Sequence, residues 1–77
     1  MLNKLKSMLN GNWKYSEGQN NEGNYIVLTK AGDIIAIYPA EEGEGLELYY
    51  KSDLSLDTLE YYPKTAVAAF TLINELF

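Results

Sequence analysis

The chain of 77 residues contains no cysteine, no histidine and no arginine; its six basic residues are all lysines, Lys4, Lys6, Lys14, Lys30, Lys51 and Lys64. Each absence removes a class of chemistry. Without cysteine there is no disulfide, no thiolate nucleophile and no thiolate metal site. Without histidine there is no side chain that shuttles protons at neutral pH. Without arginine there is no planar fork for bidentate phosphate binding. Long apolar runs are missing as well. No segment approaches the ~20 apolar residues of a membrane span, and "MLNKLKSMLNGNW" carries lysines but too short an apolar run for a signal peptide. The expected location is therefore the cytoplasm, with no membrane partner. Carboxylates, lysines, tyrosines and hydroxyls remain, a poor catalytic kit, and the expectation is a protein that is not an enzyme and carries no cofactor or metal.

Length sets the next bound. Residues 1–77 suffice for one small α+β domain. Below about 70–80 residues apolar burial and chain entropy nearly cancel, so self-association is a natural way to gain stability, and a homodimer is one expectation.

The charge is present but unevenly spread. Net charge is −5. Met1 to Ser16 holds three lysines and no acid, whereas Asp33 to Glu60 holds eight acids and one lysine. A net-acidic chain is repelled by nucleic-acid phosphates, whose contacts dominate affinity, so direct nucleic-acid binding is disfavoured and a basic partner is favoured.

Periodicity supplies the elements. Leu2, Leu5, Met8 and Leu9 recur at helical spacing, and Asn10-Gly11 is a stop signal, so the chain opens with a short helix. "NWKYS" alternates as a strand, and "EGQNNEG" reads as a loop. "NYIVLTKAGDIIAIYP" reads as a hairpin. Because Ala31 resists positive φ, a type I turn through Lys30 and Ala31 closed by Gly32 is favoured over a two-residue I′ turn. That loop pairs Leu28 with Ile34 and Ile26 with Ala36 on one face, and Val27 with Ile35 and Tyr25 with Ile37 on the other. A one-residue slip would put Ile35 and Ile37 in place of Ile34 and Ala36. "GLELYYK" is a further strand with Leu46, Leu48 and Tyr50 on one side and Glu47, Tyr49 and Lys51 on the other. "SDLSLDTLEYY" supports either a strand or a helical turn capped by Asp53 or Ser55; a short helix or irregular segment is favoured. Pro63 suits the first helical position, and "PKTAVAAFTLINELF" carries an apolar face of Ala66, Val67, Ala69, Phe70, Ile73, Leu76 and Phe77. The expected architecture is an α+β two-layer sandwich: N-terminal helix, three- to four-stranded antiparallel meander, C-terminal helix. Both faces of the hairpin are apolar, so the face opposite the helices is expected to carry some of Tyr25, Val27, Ile35, Ile37 and Tyr49 and to meet a partner if it lies open.

Three constellations invite a chemical reading. Glu41, Glu42 and Glu44 supply carboxylates from which an acid/base pair could be drawn, but a glycine-rich loop offers little of the desolvation that raises a carboxyl pKa. Neither "AEEGEG" nor "DLSLD" has the alternate-acid spacing of a calcium loop. "GNWKY" is similar to the Gly-X-Trp opening of many β-barrel binding proteins, lipocalins among them, but the chain is too short for eight strands. The informative stretch is "PAEEGEGLELYYKSDLSLDTLEYY", in which seven acids surround two Tyr-Tyr pairs. Carboxylates on a rigid scaffold can imitate duplex phosphates, and tyrosine adds rigid contact area with a hydroxyl. In composition and size the chain resembles small acidic proteins that block restriction or CRISPR enzymes, and immunity proteins that block nuclease toxins. That resemblance implies an inhibitor of a basic, nucleic-acid-handling protein, and the Asn-, Lys- and Ile-rich composition suits an AT-rich bacterial or phage genome. The candidate partner-binding residues are Glu41, Glu42, Glu44, Glu47, Tyr49, Asp53, Asp57, Glu60 and Tyr61. The competing expectation is a homodimeric structural or regulatory domain in which the acids only keep the chain dissolved.

Overall fold

The computed structural model describes residues 2–9, 13–21, 23–40 and 45–77. The elements run α1 (Leu2–Met8), β1 (Lys14–Asn20), β2 (Gly23–Lys30), β3 (Asp33–Pro39), β4 (Leu46–Lys51), β5 (Thr58–Tyr61) and α2 (Ala66–Leu76). The five strands form one sheet in chain order, every neighbour antiparallel. The α+β meander between two helices is as expected, with five strands in place of three or four.

One sheet face makes the core. Ile26, Leu28, Ile35, Ile37, Leu46 and Leu48 are buried there, together with Leu5 of α1 and Ala66, Ala69 and Ile73 of α2. Alternation along each strand and the i, i+3, i+7 spacing on α2 bring these positions to one layer boundary. Leu2, Met8, Leu9, Trp13 and Phe77 pack around its margin. Val67, expected on the apolar face of α2, is instead 56% exposed.

The β2–β3 hairpin corrects the favoured register. The pairs are Ile26↔Ile37, Leu28↔Ile35 and Lys30↔Asp33, which leaves a two-residue turn. Ala31 (φ 52°) and Gly32 (φ 91°) both adopt positive φ, the type I′ geometry that was disfavoured on account of Ala31. The competing magnitudes explain the outcome. An L-residue in the left-handed region costs roughly 1–2 kcal/mol. Facing Ile37 rather than Ala36 into the core buries three more carbons, worth about 2.4 kcal/mol at ~0.8 kcal/mol each. Packing outweighs the turn. Consequently Ile35 and Ile37 leave the open face to Ile34 and Ala36.

Three boundaries differ from expectation. β1 continues through Glu17–Asn20, where the sequence reads as loop. Gly18 is tolerated in it because the Tyr25 ring lies across the place a side chain would fill: a Cβ at Gly18 would sit 2.2 Å from Tyr25 Cζ. Thr58–Tyr61 is a strand, not a helical turn, because β4 has a free edge and Tyr49↔Glu60 and Tyr50↔Leu59 pair along it. Leu54 and Leu56 are each 97% exposed in the β4–β5 connection. Finally, α2 starts three residues after Pro63. The Pro63 carbonyl accepts from the Leu46 N–H (2.9 Å) and so extends the β4–β5 pairing, and Thr65 caps the helix by accepting from the Ala68 N–H at 3.0 Å. The close approach requires Gly45 (φ 126°), where a Cβ would lie 3.0 Å from that same carbonyl.

Candidate interaction face of the sheet

Because both helices pack on one side, the alternate strand positions form a second, open face. The registers order it in three rows. The first runs Lys14, Thr29, Ile34, Lys51, Thr58; the second runs Ser16, Val27, Ala36, Tyr49, Glu60. In the third, Gly18 lies opposite Tyr25, the Tyr25 and Tyr38 rings meet at 5.1 Å, and Tyr38 lies opposite Glu47. Tyr38 also meets Tyr49 edge-on at 5.7 Å. Offset and edge contacts of this kind hold aromatic rings in fixed orientations. Tyr62, 57% exposed, closes the group by donating its hydroxyl to Glu60 Oε2 at 2.9 Å.

The face is thus graded: lysines at the end near the β2–β3 turn, aliphatic groups in the middle, tyrosines with carboxylates at the far end. Ile34 is 42% exposed and Tyr25, Val27, Ala36, Tyr38 and Tyr49 are only partly covered. The carboxylates act on the phenols. Burial, then the charges of Glu47 and Glu60, push Tyr49 above the ordinary tyrosine value, and the hydrogen bond to Glu60 pushes Tyr62 up as well. Both stay protonated and able to donate at neutral pH.

The nine candidate contact residues do not all gather here. Glu47, Tyr49 and Glu60 share the face. Asp53 and Asp57 lie beyond the opposite end of β4, on the connection to β5. There Asp33 pins the chain, accepting from the Asp53 N–H (3.0 Å) and the Tyr50 hydroxyl (3.3 Å). Tyr61 sits on the helix side, packed against the core. Glu41, Glu42 and Glu44 fall outside the described residues. Tyr25, Tyr38 and Tyr62 belong to the face and were not singled out as contacts. Tyr25 was already expected on this face from β2 parity, whereas strand parity places Tyr38 there only once the β2–β3 register is known.

On the helix side, Lys6 and Glu17 form an ion pair that ties α1 to β1. The Lys6 ammonium and the Tyr15 hydroxyl hold the Glu17 carboxyl below its usual range, and Glu17 raises Lys6. Among the described residues no group of three or more acids could hold a metal ion, and no helix is long and apolar enough to cross a membrane. No protein-family model matches the chain, and no curated protein or solved structure is detectably similar to it.

Proposed function

We propose that this chain is a non-enzymatic protein-binding module whose open sheet face docks a basic partner through its tyrosine-carboxylate end, and that docking inhibits a nucleic-acid-handling protein of the kind targeted by anti-defence or immunity proteins. The observation that carries the reading is the grouping of Glu47, Tyr49, Glu60 and Tyr62 beside Tyr25 and Tyr38 on one partly exposed face of the sheet. Fixed aromatic rings supply contact area at little entropic cost, and nearby carboxylates favour an approaching lysine or arginine by ion pairing and by cation–π contact. The net charge of −5 favours encounter with a basic protein. Tyr49 and Tyr62 are the aromatic anchors, and Tyr61 supports the core beneath them.

Capture from a bacterial lysate tests it. The immobilised chain should retain a basic protein at low ionic strength, release it at high salt, and compete with duplex DNA for it. Glu47→Lys combined with Glu60→Lys should abolish retention. Retention that is indifferent both to salt and to these reversals would refute the reading.

A further inference from the structure

We propose that, when no other partner is bound, the open face closes on a second copy of the same chain, about a two-fold axis that crosses the strands along the Val27–Ala36–Tyr49 row. The inference rests on reading this face as an interaction surface, and it adds a specific occupant and geometry.

The argument starts from the gradient. The face as a whole is not of one sign: Lys14 and Lys51 stand in the row at one end, Glu47 in the row at the other, and Glu60 at the β5 edge of the middle row. A basic protein is served by the glutamate end and opposed by the lysine end. A second copy is served by both, provided the ends are reversed. Two isologous arrangements place this face on itself. A two-fold axis running along the strands sets each row on its own counterpart, gathering four lysines at one edge and both Glu47 side chains at the other. A two-fold axis running across the strands reverses the rows. Lys51 and Glu47 lie two residues either side of Tyr49 on β4, so each Lys51 then faces Glu47 of the other copy and Tyr49 meets Tyr49; Glu60, in the same row as Tyr49, meets its own copy only at the exposed β5 edge, where it already accepts from the Tyr62 hydroxyl. The offset from the axis is about 6.6 Å along the strand in both directions. Sheets packed face to face stand about 10 Å apart, within reach of a lysine and a glutamate extended towards each other. The two Lys51–Glu47 pairs thus favour the second arrangement over the first.

Area sets the strength. Five strands about 4.8 Å apart and about six residues long present roughly 500 Å² per copy. The pair would bury roughly 1,000 Å², the lower end of specific interfaces. Association should therefore be reversible and concentration-dependent. The carboxylate that pairs with the second copy is the one proposed to meet a basic partner, so the two associations exclude each other and the dimer is a resting form that the partner must displace.

A charge swap on the full chain tests this by sedimentation equilibrium from dilute to concentrated solution, with circular dichroism checking the fold. The wild type should pass from monomer to dimer. Lys51→Glu and Glu47→Lys should each weaken self-association by about tenfold or more, since each places two pairs of like charges in the contact. Mixing the two variants should restore a heterodimer, and the Glu47→Lys/Lys51→Glu double variant should again form a homodimer. A wild type that stays monomeric throughout, folded single variants that associate as before, or a double variant that stays monomeric would each overturn the inference. Lys51→Glu separates this claim from the functional proposal: it removes the dimer but should strengthen capture of a basic protein. Loss of capture with the swap pattern intact sinks only the functional proposal; intact capture without the swap pattern sinks only the dimer.

Discussion

Replacing isoleucines along β3 tests the register on which the open face depends. Ile37 is fully buried and pairs with Ile26 and Leu48; Ile34, three residues earlier, is 42% exposed beside Thr29 and Lys51. In the alternative register their environments would exchange. Removing a buried isoleucine to alanine costs about 2–5 kcal/mol. A chain of 77 residues holds on the order of 4–12 kcal/mol in total, so Ile37→Ala risks unfolding it outright. Ile37→Val is gentler, at about 0.5–1.5 kcal/mol. With a urea dependence near 1 kcal/mol per molar, its midpoint should fall by roughly 0.5–1.5 M. Ile34→Val deletes the same methylene from a half-solvated site and should move the midpoint by less than about 0.5 M. Urea unfolding of both variants and the wild type, followed by circular dichroism at one dilute concentration, measures the difference. Equal shifts, or a larger shift for Ile34→Val, would refute the register and with it the composition of the three rows.

Two further outcomes follow from the site itself. The Tyr49 phenol is held above its ordinary value of 10.0, so the folded state keeps this proton more tightly than the unfolded chain; its contribution is complete below about pH 10 and is lost as pH rises through the folded value. Urea midpoints should therefore fall more steeply above pH 10 in the wild type than in Tyr49→Phe, and identical slopes would contradict the linkage. Gly18→Ala should expel the Tyr25 ring, since a flexible side chain gives way before backbone does, and reduce the near-ultraviolet dichroism of the tyrosine group with little change in far-ultraviolet signal; an unaltered near-ultraviolet spectrum would show that the ring does not cover Gly18.

Much of the fold was legible because local signals agreed. Alternation through Leu46, Leu48 and Tyr50, helical spacing through Leu2, Leu5, Met8 and Leu9, and the alanine-rich segment before Phe77 each name their own element. What escaped were choices settled by competition. Ala31 argued correctly for strain but was outweighed by Ile37, and no local rule weighs one against the other. Thr58–Tyr61 has an ambiguous period and becomes a strand because β4 offers it an edge. Gly18 looked like loop because the tyrosine that covers it comes from a neighbouring strand. Pro63 looked like a helix start, yet its carbonyl belongs to the sheet. The same dependence decided the site. Glu47, Tyr49 and Glu60 could be nominated from composition and Tyr25 placed on the face by β2 parity, whereas Tyr38 joins them only through the β2–β3 register. Tyr61, nominated as a contact, points inward along β5, and Tyr62, one residue past the strand, lies 57% exposed on the open side.

The claim that the open sheet face is the contact surface is tested most directly by labelling the chain with ¹⁵N and recording amide shifts as the captured basic protein is added. The account predicts changes along the β3, β4 and β5 positions of that face, centred on Tyr38, Glu47, Tyr49 and Glu60, with α2 residues such as Val67 and Thr71 unmoved. Changes centred on α1 and α2, with Tyr38, Tyr49 and Glu60 undisturbed, would contradict it.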